Sequence, residues 1–133
     1  MLSDLITYLN SKIPSLTVYP LHIPQKASLP ACVYTSIDRE HSHNLAGSAG
    51  LCREHLQFDF YSTSFSVCVS QAEAVRNELD GFKGTMGSTL FNGILLEREF
   101  DLYDQPIDAT DVGTFHRSSE YLFVYQESLP TLS

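Results

Sequence analysis

The chain has 133 residues, 43% of them hydrophobic and 18% charged, which is the make-up of one globular domain and not of a disordered segment. Its net charge is −8 and its eight basic residues are scattered singly, which speaks against a protein that grips nucleic-acid phosphates. No apolar run is long enough to span a bilayer, and Cys32, Cys52 and Cys68 lack C-x-x-C spacing, so they read as free thiols of a reducing compartment.

Leu2, Leu5, Ile6, Leu9 and Ile13 share one helical face, and Pro14, which has no backbone donor, ends that helix. The flanks of "MLSDLITYLN" are those of an amphipathic helix and not of a secretory signal. The proline-rich stretch 14–30 predicts an extended connector with at most a short edge strand at Thr17-Val18-Tyr19. "ACVYTSI" is β-branched and aromatic and predicts a strand. Leu56, Phe58 and Phe60 alternate with polar neighbours and predict a second strand with one buried face.

A second helix is expected over residues 62–81, with Ser62, Thr63 or Ser64 as cap and Cys68, Ala72, Val75 and Leu79 as its buried stripe. Gly81 is placed to end it in the left-handed conformation. "GFKGTMGS" predicts a turn. "NGILLEREFDLY" predicts a strand in which Leu96, Phe100 and Leu102 share a face. The Asp-rich loop "DQPIDATDVG" and a last strand, "FHRSSEYLFVYQ", complete the chain, with a loose tail over about 127–133. The order helix-strand-strand-helix-strand-strand predicts a single α+β domain over 1–133. Its mostly antiparallel sheet has about four strands and two helices on one face. The other face is polar with some tyrosines, and must meet solvent or a partner.

The stretch "EHSHNLAGSAG" carries an H-x-H pair, His41 and His43, with Cys52, His55 and His22 as conceivable further ligands. No second pair has zinc-type spacing, and the small residues around it suit a loop. Asp101, Asp104, Asp108 and Asp111 lack the alternate spacing of a calcium loop. Cys52 and His55 fall on opposite faces of a strand, which argues against a Cys–His nucleophile. Nucleophile elbow, phosphate loop and dinucleotide fingerprint are all missing. Asp38 to Gly50 is therefore expected to form the far end of a hairpin, with arms of about six residues reaching roughly 20 Å.

Five pieces, "LPACVYTSI", "LAGSAGLCREHLQFDFYS", "QAEAVRNELDGFKGTM", "GILLEREFDLYD" and "FHRSSEYLFVY", resemble the tail-completion, or tail-terminator, proteins of long-tailed bacteriophages and prophages. The resemblance runs from about Leu2 to Tyr125. Its most specific parts are Pro30, "QFDFYS" and "VRNELDGFKG"; Arg117 also matches a position where the family tends to carry arginine, and the last strand lacks the tryptophan common in relatives. The resemblance implies a structural virion protein, assembled in the host bacterial cytoplasm. It would form a six-membered ring that caps the tail tube protein, ends its polymerisation and meets the head–neck connector, with the tape-measure end a further contact. Double-stranded DNA would pass through the lumen. Catalysis, cofactor, metal and membrane contact are not expected. Candidate contact residues are Arg39, His41, His43, Asn44 and Leu45 of the hairpin, Asp104 and Asp108 of the acidic loop, and Arg117. Another neck or head-completion protein, or a small α+β enzyme using the acidic loop or the histidines, stays open as an alternative.

Overall fold

The computed structural model describes residues 1–23, 29–44, 47–104 and 113–127; for residues 43, 44, 47–49 and 104 it describes the backbone alone. The elements are α1 (Leu2–Lys12), β1 (Val18–Pro20), β2 (Ala31–Asn44), β3 (Gly47–Ser62), α2 (Phe65–Leu79), β4 (Gly84–Met86), β5 (Thr89–Asp104) and β6 (Thr114–Gln126). The strands form one sheet in the order β1-β2-β3-β6-β5-β4.

The α+β class and the two helices match the expectation, while the strand count does not: six strands replace about four, and β1 runs parallel to β2. The two beyond the four are three-residue edge strands where proline and glycine limit pairing, and β1 falls where the sequence allows a short edge strand, at Thr17-Val18-Tyr19. β1 ends at Pro20, and β4 sits in the run read as a turn, joined to β5 through Gly87 and Ser88. Gly87 has φ +57°, which an L side chain resists, and its missing Cβ leaves room for the Asp4 carboxylate. Asp4 Oδ2 accepts hydrogen bonds from Ser88 Oγ and Thr89 Oγ1, which ties α1 to this turn.

The core lies between the helices and one sheet face. Leu5 and Leu9 of α1 and Cys68, Ala72, Val75 and Leu79 of α2 cover Leu56, Phe58, Phe60, Tyr121 and Phe123. Burying such side chains supplies about 1.5–3 kcal/mol each relative to exposure. The second helix starts at Phe65, after Ser64, whose N–H donates to Ser62 Oγ. Gly81 takes φ +84°, as its position predicts, and its N–H donates to the Ile94 carbonyl, clipping the helix end to β5.

β5 departs from simple alternation. Its pairing with β6 shifts between Phe91 and Gly93 and again between Leu96 and Arg98. Each extra residue turns the rest of the strand to the other face. Leu96 packs against the core, whereas Phe100 and Leu102, expected on the same face, are 39% and 50% exposed on the opposite one. The second shift brings Asp101 round to stand opposite Arg117 on the helix side.

Candidate functional site

Two stretches of sheet edge lack a second strand among the described residues. β1 covers only Cys32 to Tyr34 of β2, and β4 covers only Thr89 to Phe91 of β5. The turn after α2 covers β5 a little further, with Gly81 and Phe82 bonding Ile94 and Asp80 Oδ1 accepting from Leu96 N–H. Among the described residues, the rest of β2, from Thr35 onward, and of β5, from Glu97 onward, has no strand on its outer side. Because β1 and β4 sit at opposite ends of the sheet, these open edges are diagonally opposed.

The β2–β3 hairpin is longer and more regular than a loop over 38–50. Asp38 stands opposite His55, Arg39 opposite Glu54, Glu40 opposite Arg53 and His41 opposite Cys52. Of these pairs Asp38 and His55 touch, at 2.6 Å, while the opposite signs at the next two positions suit antiparallel neighbours. Pairing continues through His43–Ser48 and Asn44–Gly47, after a shift between His41 and His43. β6 reaches only as far as Gln126, opposite Leu51, so the free arm is about four residues per leg. That is roughly 13 Å at a strand's rise, shorter than the 20 Å expected. Arg39 and His41 are exposed on this hairpin. The side chains of His43, Asn44 and Leu45, and those of Asp104 and Asp108, lie outside the described residues.

At the base of the arm, on the helix side, a polar corner interrupts the core. Glu54 is 2% exposed, and its carboxylate accepts hydrogen bonds from Tyr125 Oη and Ser36 Oγ, both at 2.8 Å. Cys52, fully buried beside Tyr125, has its thiol pKa raised by that burial. Burial also pushes the Tyr125 phenol up, with the nearby Glu54 carboxylate acting in the same direction. His41 Nδ1 lies 2.6 Å from Glu127 Oε1. Glu127, expected in the loose tail, is anchored here by its N–H to the Gly50 carbonyl. Of this corner the sequence pointed only to His41 and Cys52. Glu54 was legible, because it stands two residues before Leu56 and shares its inward parity.

Arg117 sits at the other end of the sheet. Its Nε and an amino nitrogen reach both Asp101 oxygens at 2.7 and 3.1 Å, and its guanidinium lies 5.9 Å from the Phe65 ring centre. The guanidinium holds Asp101 below the usual carboxylate range. Only 18% of the Arg117 side chain is exposed, so its contacts within the subunit dominate. Beside it, Phe65, Leu102, Tyr103 and Phe115 line an open apolar hollow.

The sheet face away from the helices carries ion pairs: Arg98 with Glu120, His116 with Asp59, and His55 with both Asp38 and Glu97. The His55 pKa is raised, first by its hydrogen bond to Asp38, against an opposing effect of partial burial. A histidine with a raised folded pKa stabilises fully below its ordinary value of 6.5, and that gain disappears as pH rises through the folded value. Asp38→Asn is therefore expected to lower the His55 pKa in an NMR titration. It should cost about 0.2–1 kcal/mol of stability below about pH 6.5 and much less at about pH 9. An equal cost at both pH values would contradict the charged pair.

A surface hollow of about 560 Å³ is lined by Ser15, Pro30, Ser66, Val67, Ser70 and Gln71, which brings hydroxyls and an amide together but no acid–base pair. None of the described helices is long and apolar enough to cross a membrane.

No protein-family model and no curated protein matches the sequence. Solved structures do match in fold. A chain of the structure described as "Virion of native gene transfer agent (GTA) particle" superposes with a TM-score of 0.63 at 12% identity, over 94% of this chain and 90% of that one. At that identity the likeness is one of fold. The two chains agree in fold along nearly their whole lengths.

Proposed function

We propose that this chain is a structural protein of a phage-like virion, a tail terminator that forms a ring on the end of the tail tube, stops its growth and joins it to the neck. The observation that carries this reading is the fold shared end to end with a chain of a gene transfer agent virion. The sequence resemblance to tail-completion proteins points the same way. The surfaces suit the task. Two diagonally opposed open edges let one copy meet the next head to tail, and a heterologous contact of that kind closes into a ring when its rotation allows. The protruding hairpin offers a contact for the tube or the neck. A net charge of −8 suits a lumen through which DNA passes without being held. The role is assembly and not catalysis.

The test is to delete the coding sequence from a particle-producing genome and examine the products by electron microscopy. Tubes of uncontrolled length and filled heads lacking tails are the expected result, with rescue by the intact chain. Normal tailed particles in the deletion would overturn the reading. Empty or unfilled heads on normal tails would point instead to a head-completion role.

A further inference from the structure

We propose that His41, Cys52 and Glu127 form a transition-metal site of the zinc class that clamps the base of the hairpin arm to the end of β6. This goes beyond the tail-terminator reading and does not depend on it. The three residues come from three separate places, β2, β3 and the position just after β6. Their ligand atoms, a ring nitrogen, Sγ and a carboxylate oxygen, all lie within 4.8 Å of one another. Nitrogen, sulfur and oxygen in one set is the donor mixture zinc takes, with bonds of about 2.0–2.3 Å and ligand separations of about 3.3–3.7 Å in a tetrahedron. His41 Nδ1 and Glu127 Oε1 are now 2.6 Å apart. An ion between them would open that contact by about an ångström and draw Cys52 Sγ in by a similar amount.

Backbone pairing already brings the three residues together. His41 and Cys52 are direct cross-strand partners, and the Glu127 backbone is fixed to Gly50. Tyr125 contacts Cys52 and donates to Glu54, which gives the sulfur a held second layer. The nearby charges are the Glu127 and Glu54 carboxylates, which favour a cation, and Arg39, which opposes it. Burial keeps the Cys52 thiol protonated in the metal-free chain. Metal binding would send that proton to solvent and leave a thiolate on the ion. His41 is 44% exposed, so the ion has an entry path and one coordination position remains for water. With all three ligands bound, the arm would be fixed in direction relative to the sheet.

The experiment uses the untagged full chain titrated with Co²⁺, whose thiolate complexes show a charge-transfer band and tetrahedral visible bands. Binding tighter than about 10 µM with that band is expected, together with displacement by Zn²⁺. Zn²⁺ at about a hundredfold excess over its Kd should raise Tm by roughly 5–10 °C. Cys52→Ser should abolish the charge-transfer band, and His41→Asn and Glu127→Gln should each weaken binding at least tenfold. Circular dichroism of each metal-free variant checks that it folds. Absence of the band in the folded parent chain would overturn the proposal, as would its persistence in Cys52→Ser. Should Cys52→Ser fail to fold, the two surface-side variants decide alone: unchanged Co²⁺ affinity in both would overturn it.

Discussion

Replacing Phe58 by Ala is expected to cost about 3–5 kcal/mol of folding stability, the range for emptying a fully buried aromatic site. Phe58 is 0% exposed at the centre of β3, paired on one side with Tyr34 and on the other with Ser119. Its ring meets Tyr121 edge-on at 5.7 Å and Phe60 at 6.5 Å, with the helices packed above. A site walled by strands on both sides collapses poorly, so the cavity persists and the upper part of the range applies. Urea unfolding should show a lower midpoint with unchanged slope. A loss under about 1 kcal/mol would place Phe58 outside the packed core.

Replacing residues 42–49 with Asn-Gly is expected to leave the domain folded and to abolish particle assembly. The strands that flank the replaced stretch pair with β6 only as far as Leu51, opposite Gln126, so the cut lies outside the three-stranded part of the sheet. His41 and Cys52, which stay cross-strand partners, would be joined by the four residues Asn-Gly-Gly50-Leu51, a loop length that antiparallel strands accept. Stability should therefore change by about 1 kcal/mol or less, the scale of surface substitutions taken together. If the arm is the contact that docks the ring on tube or neck, complementation with the shortened chain should fail as completely as no chain at all. Normal infectious or transducing particles would mean the arm contacts nothing essential.

Much of this architecture was legible in the residues because local physics and tertiary packing agreed. Pro14 ends α1, Gly81 ends α2, and the alternation Leu56, Phe58, Phe60 chose the face that is buried. The misplaced face of β5 has a plain cause. Periodicity assumes that a strand never gains a residue, and β5 gains one twice. Nothing in "FNGILLEREF" marks the two extra residues, which show only in the pairing with β6. The free arm of the hairpin came out shorter for a different reason. Gly47 and Gly50 read as loop, yet "DREH" at 38–41 faces "CREH" at 52–55 in reverse, so Asp meets His and Arg meets Glu. That complementarity is visible in the letters once the two stretches are set antiparallel. The polar corner was half legible. Glu54 follows the inward parity of its strand, but Glu127 reaches His41 across 86 positions of sequence, a contact only the sheet order creates.

The most direct test of the central claim is to count and locate this chain in assembled particles, by electron microscopy of tails combined with mass measurement of the chain bound to tube ends. The proposed role requires one ring of six copies at the head-proximal end of each tail tube, with the hairpins directed at the tube or the neck. A chain that is missing from tail ends, or that remains a tight dimer both free and with tubes present, would contradict it.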